Sequence, residues 1–192
     1  MAKKIGVLAL QGDFQEHLQV LERLKAEGRE VRLPRELEGL DGVIIPGGES
    51  TTISRLMADF ALLEPLRKLV AEGLPLLGTC AGLILMARKA TDLALETLRV
   101  LDIEVKRNAF GRQVDSFETE LAIPALGDAP FPAVFIRAPI IERLGPGVEA
   151  LARLPEGWPV AIRQKNLLAC AFHPELSRDL RLHAYFLNML SQ

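Results

Sequence analysis

The stretch Leu74-Pro75-Leu76-Leu77-Gly78-Thr79-Cys80-Ala81-Gly82-Leu83-Ile84-Leu85-Met86-Ala87 joins a short apolar run to a helical-looking one through a turn of small residues. Its spacing is that of a nucleophile elbow with cysteine in the serine's place: a strand turns sharply into a helix, and small flanking residues avoid clashes. Such a turn predicts an α/β fold that displays Cys80 above the edge of a sheet. A thiol at a helix N-terminus meets free backbone N–H groups and partial positive charge, which favour the nucleophilic thiolate. Attack on a carbonyl carbon is the chemistry this suits. Taken alone, the pattern is better read as a strand packed tightly against a helix around a buried cysteine.

A base shifts the balance. Phe172-His173-Pro174-Glu175 follows the strand-like run Leu167-Leu168-Ala169-Cys170-Ala171. In extended geometry residues i and i+2 point the same way, and Pro174 restricts the backbone between them, so the Glu175 carboxylate can orient the His173 imidazole. The two other histidines read as ordinary: His17 in a polar helical stretch, His183 in an amphipathic C-terminal helix.

The 192 residues, 49% of them hydrophobic, suffice for one substantial core, so a single domain over 1–192 is expected. A net charge of -2 and a pI near 6.0 give no nucleic-acid footprint. Two cysteines make no disulfide framework and point to a reducing compartment, with Cys170 as a small apolar strand residue. The N-terminal apolar run Ile5 to Leu10 is interrupted by Gly6 and too short for a signal peptide, and no apolar segment approaches the ~20 residues that span a bilayer. A cytoplasmic location away from membranes is the expectation.

Along the chain, Ile5 to Leu10 reads as a strand, Asp13 to Glu27 as a helix, and Val31 to Leu33 and Val43 to Ile45 as strands, the rhythm of a parallel sheet covered by helices. Ser50-Thr51 can cap a helix whose apolar face is Ile53, Leu56, Met57 and Phe60, and Pro65 starts a further segment running to about Glu72. The second half offers short strands near Val100 to Val105, Phe117 to Ile123, Ala133 to Ile136, Val160 to Arg163 and Leu167 to Phe172, then a helix from Leu180 to Leu190. These predict a three-layer domain whose mostly parallel sheet is extended by antiparallel strands.

Pro46-Gly47-Gly48-Glu49-Ser50-Thr51, after the Val43 to Ile45 strand, lacks the lysine of a phosphate-binding loop. Loops at the carboxyl ends of neighbouring parallel strands converge on one crevice, so this loop and the elbow should share a pocket. There the N–H groups of Gly48 and Ala81 would form an oxyanion hole. A plain glycine turn before a capped helix is the simpler alternative.

Jointly, Pro46 to Ser50, Gly78 to Gly82 and Phe172 to Glu175 resemble the class I (triad) glutamine amidotransferases. Gly6-Val7-Leu8-Ala9-Leu10-Gln11-Gly12-Asp13, Arg107 to Gln113 with Asp115 to Glu118, and Phe135-Ile136-Arg137-Ala138-Pro139 are similar to the PdxT/SNO family, the glutaminase subunits of pyridoxal 5'-phosphate synthase. Ile84 stands where many other class I branches carry glutamine, in agreement with that family. Arg99 departs from it, standing where a small residue, often glycine, is expected.

The resemblance implies hydrolysis of L-glutamine through a thioester, with Cys80 as nucleophile, His173 as base and Glu175 as its orienter. It implies glutamine binding by Gly48, Glu49, Ser50, Arg107, Ile136 and Arg137, with neither cofactor nor metal. The implied partner is a barrel-shaped synthase subunit that receives the ammonia through a channel. Docking would turn the Gly47-Gly48 peptide into the oxyanion hole, with Gln11 and the following helix as docking elements. The competing expectations are the glutaminase of another class I branch, a cysteine-type α/β-hydrolase and an inactive adaptor.

Overall fold

The computed structural model describes residues 2–91, 94–107 and 116–190. The family-like segment 108–115 therefore lies outside the described residues. In chain order the elements are β1 (Lys4–Leu8), α1 (Phe14–Arg23), β2 (Glu27–Val31), β3 (Gly42–Ile45), α2 (Ser50–Asp59), α3 (Leu63–Ala71), β4 (Leu76–Thr79) and α4 (Ala81–Met86). Then follow β5 (Ala87–Ala90), β6 (Leu101–Lys106), β7 (Ser116–Leu121), β8 (Phe131–Ile136), β9 (Ile140–Leu144), β10 (Glu149–Arg153), β11 (Pro159–Gln164), β12 (Leu167–Cys170) and α5 (Arg181–Met189).

The central sheet runs β10-β11-β12-β4-β3-β1-β2. The block β12-β4-β3-β1-β2 is parallel throughout, and β10 and β11 extend it antiparallel. Register is set by burial on both faces. Val7, Ile44, Leu77 and Leu168 pair across four adjacent strands, all fully buried on one face, and Val43, Leu76 and Leu167 fill the other. Each fully buried aliphatic side chain contributes roughly 1.5–3 kcal/mol, and a one-residue slip would exchange the faces. One core packs the sheet against α2, α3, α4 and the small sheet β5-β6-β9; the other packs it against α1, α5 and the hairpin β7-β8. The result is the expected single three-layer α/β domain.

Several local expectations shift. The first helix stops at Arg23, and Lys25 takes a left-handed φ of 58° before β2 opens four residues ahead of the expected strand. β2 is the sheet's edge, so its charged Glu27-Gly28-Arg29-Glu30 segment sits partly in solvent and shows no apolar run. Helix α2 is capped by Glu49, whose carboxylate accepts from the Thr51 and Thr52 N–H groups, while Ser50 is its first helical residue. β5, β9 and β10 carry no clear strand signal; Glu149-Ala150-Leu151-Ala152-Arg153 is rich in helix formers yet pairs with β11, tertiary pairing overriding propensity.

Candidate active site

Four adjacent parallel strands, β12, β4, β3 and β1, end on one edge of the sheet, and each leads into a segment of the site. Past β4 comes the elbow. The Cys80 N–H donates to the Cys170 carbonyl at 2.8 Å, the last rung before the chain turns into α4. Cys80 itself has φ 48° and ψ -104°, a strained conformation for a non-glycine residue and one expected of a displayed nucleophile. The flanking glycines are needed by contact: a Cβ on Gly82 would lie 2.0 Å from the Ile45 carbonyl oxygen, and one on Gly78 2.5 Å from the Met86 sulfur.

Past β12, the His173 N–H donates to the Val134 carbonyl at 2.8 Å, which fixes the loop against β8. The His173 Nδ1 stands 2.7 Å from Glu175 Oε1 and 3.2 Å from Asp13 Oδ2. Burial by itself would lower the His173 pKa; hydrogen bonds with Asp13, Cys80 and Glu175, with the charge of Cys80, outweigh it and raise the pKa to about 12. Burial raises the Glu175 pKa, held back by the hydrogen bond and charge of His173.

Past β3, the diglycine loop lies against the imidazole. A Cβ on Gly47 would come within 2.4 Å of His173 Cε1, so glycine is required for that approach. Past β1, the Asp13 N–H donates to the Gly47 carbonyl at 3.0 Å, and Gln11 Oε1 accepts from the Glu49 N–H at 2.7 Å. The β1 loop thereby clamps the diglycine turn.

These segments close around a cleft of about 310 Å³. Cys80, Ala81, His173, Gly48, Glu49 and Ser50 line it, as do Arg107, Ile136 and Arg137, so every site residue expected from sequence meets there except Glu175, which sits behind His173. The Cys80 thiol reaches the Ile136 carbonyl at 3.7 Å. At the mouth, Arg107 Nη1 donates to Glu49 Oε1 at 2.9 Å and to the Thr51 hydroxyl at 3.2 Å. Burial would raise the Glu49 pKa, but hydrogen bonds from Thr52 and Thr51 and the Arg107 charge bring it below its ordinary value. The Ser50 hydroxyl is buried in the cleft wall without a partner among the described residues, a donor available to a ligand.

Sequence reasoning overlooked two features. Asp13 occupies the N-cap position of α1 but makes no capping bond; its carboxylate turns to His173 instead. His17 and His183, read as ordinary, are both fully buried. His17 Nδ1 and His183 Nε2 are 2.9 Å apart, and His17 Nε2 stands 3.5 Å from Glu175 Oε2. A signal existed, since His17, Val20 and Leu21 form the i, i+3, i+4 stripe that α1 buries. Cys170 is as expected: a buried thiol bonded to the Phe172 carbonyl, its pKa pushed well up by burial and by the charges of Glu175 and Cys80. Among the described residues, Asp13, His173 and Glu175 bring ligand atoms within 4.8 Å of one another. Two carboxylates facing one imidazole nitrogen suit a protonated ring.

The model of the SNO glutamine amidotransferase family matches residues 7–192. The chain belongs to that family. It is 56% identical over 190 residues to the pyridoxal 5'-phosphate synthase subunit PdxT of Corynebacterium jeikeium, covering 98% of this chain and 97% of that one. The subunit of the same name from Moorella thermoacetica is 57% identical over 187 residues, covering 97% and 99%. A crystal structure of a glutamine amidotransferase superposes with a TM-score of 0.93 at 52% identity, covering 98% and 99%. Arg99, where a small residue, often glycine, is expected, has a left-handed φ of 55°, the conformation glycine adopts without strain.

Proposed function

We propose that this chain hydrolyses L-glutamine to L-glutamate and ammonia as the glutaminase subunit of a pyridoxal 5'-phosphate synthase. The observation that carries this reading is the cleft in which Cys80 meets His173, itself 2.7 Å from Glu175, in a chain more than half identical to synthase subunits. The Cys80 thiolate attacks the side-chain amide carbon, and the oxyanion rests on the N–H groups of Gly48 and Ala81. Ala81 opens α4, so its N–H lacks an intrahelical acceptor; losing one such donor typically costs ~10²- to 10³-fold in rate. As the carbon–nitrogen bond breaks, His173 gives its proton to the departing nitrogen and ammonia leaves. Water then attacks the thioester, returning a proton to His173 and freeing glutamate, with Glu175 orienting the imidazole throughout.

The zwitterionic end of glutamine meets Arg107, Arg137, Glu49 and Ser50, with the Ile136 backbone completing the pocket. No helix among the described residues is long and apolar enough to cross a membrane. The reading places the enzyme in the cytoplasm, in a hetero-oligomer with a barrel-shaped synthase subunit that takes up the ammonia through a channel. Docking through Gln11 and α1 turns the Gly47-Gly48 peptide, a shift that two consecutive glycines permit. The test is ammonia release from glutamine with and without the synthase, alongside an aryl ester and a glutamine-like chloroketone. Glutamine turnover raised by the synthase, with Cys80 labelled, is the expected result. Ester turnover without glutamine turnover would overturn the proposal, and equal rates with and without the synthase would remove partner activation from it.

A further inference from the structure

Glu175 uses one carboxylate oxygen, Oε1, on His173 at 2.7 Å. The other, Oε2, is buried and has no hydrogen-bond partner among the described residues. Facing it at 3.5 Å is His17 Nε2, which also lies 3.2 Å from the Thr79 hydroxyl in the elbow itself. Behind His17, its Nδ1 meets His183 Nε2 at 2.9 Å, and His183 Nδ1 is buried without a partner among the described residues. Three elements distant in sequence, α1, the elbow and α5, thus converge on the far side of the triad acid.

We propose that His17 is a positioning residue for the triad: its Nε2–H holds the second oxygen of Glu175, and His183 fixes the tautomer that makes this possible. The inference rests on glutamine hydrolysis as the activity. Tautomer accounting supports it. If His183 donates from Nε2 to His17 Nδ1, His17 carries its proton on Nε2, facing the carboxylate and the Thr79 hydroxyl. The atom then left over is His183 Nδ1 as a bare acceptor. In the opposite arrangement the His17 Nε2 lone pair can accept from the Thr79 hydroxyl, but it also faces a carboxylate, and a buried His183 N–H, a costlier loss than a bare acceptor, is orphaned. Both rings are neutral: burial, then the charges of His183 and His173, lower the His17 pKa well below 6.5, and burial lowers that of His183 to about 4. The 3.5 Å separation is an electrostatic contact between the ring N–H and the carboxylate, longer than a hydrogen bond of ordinary length. By this chain Glu175 is held through both oxygens, so the imidazole it orients has one setting relative to Cys80.

The experiment compares His17→Leu and His17→Gln in the complex with the synthase, reading kcat, KM and the acid limb of the pH profile. Titratable or charged groups facing Glu175 are His173, His17, Asp13 and Cys170. Losing the N–H donor disfavours the ionised carboxylate, so His17→Leu shifts the acid limb to higher pH and lowers kcat about tenfold with KM within twofold. In His17→Gln the side-chain amide N–H overlays the lost donor and restores most of both. A folded His17→Leu enzyme with the wild-type acid limb and kcat overturns the proposal, whatever its melting temperature. Should the variant not fold, 15N-histidine spectra of the wild-type protein decide. Protons on Nε2 of both His17 and His183 support the chain, and a proton on His17 Nδ1 overturns it. The spectra do not depend on turnover, so a wild-type protein inert to glutamine marks failure of the proposed function instead.

Discussion

At the mouth of the cleft, Arg107 and Glu49 neutralise each other, although glutamine would bring a charge for each. An α-carboxylate arriving at Arg107 and an α-ammonium at Glu49 exchange one ion pair for two, which lets a half-exposed pair select for a zwitterion without a buried lone charge. Charge-assisted bonds are worth about 1.5–3 kcal/mol, and partial exposure brings the figure toward the lower end. Arg107→Ala is therefore expected to raise KM for glutamine about tenfold while kcat stays within twofold, in a steady-state assay with the synthase present; an unchanged KM removes Arg107 from the pocket. The proposed triad was legible residue by residue, because Gly78 to Gly82 and His173 to Glu175 each carry their local spacing in the sequence. Asp13 was not, since an acid at a helix start reads as a cap until the fold turns it toward His173.

The elbow works as an element because α4 is six residues long, wholly buried, and pressed on the backbone of β3 through Gly82. A methyl group at position 82 meets the Ile45 carbonyl, and backbone cannot swing aside as a side chain can. Gly82→Ala is expected to lower the unfolding free energy by about 1–3 kcal/mol, read from urea midpoints, with loss of glutaminase activity as Cys80 is displaced. Gly28→Ala, whose Cβ would meet the flexible end of Leu18, should cost less than about 1 kcal/mol. If the two variants are equally stable, the tight crossing of α4 over β3 is not what positions the nucleophile. Elements with two buried faces were readable as apolar runs. The edge strand β2 and the strands β5, β9 and β10 were not, because their pairing partners, and not their own composition, make them strands.

Across the whole molecule, three histidines tie stability to pH in opposite directions. His183 has its pKa lowered to about 4, and His17 is lowered too, so the unfolded chain binds more protons and stability falls as pH drops from about 6.5 toward 4. The His173 pKa is raised to about 12, so its stabilisation is complete below about 6.5 and is lost as pH rises through 12. Maximum stability near neutrality follows. Of the loss between roughly pH 7 and pH 5, about 2 kcal/mol belongs to His183 and should be absent in His183→Leu, measured by urea unfolding at the two pH values. An identical loss in both proteins would mean that His183 is not buried as a neutral ring. The sequence by itself determined the layered α/β plan and the residues proposed as nucleophile, base and acid, because apolar periodicity and short-range spacing are properties of neighbouring residues. Only the tertiary structure decided that Asp13 faces His173, that Glu49 and Arg107 pair, and that His17 and His183 stand behind Glu175. Those contacts join segments up to 166 residues apart, and strand order, which no local pattern encodes, is what brings them within hydrogen-bonding distance.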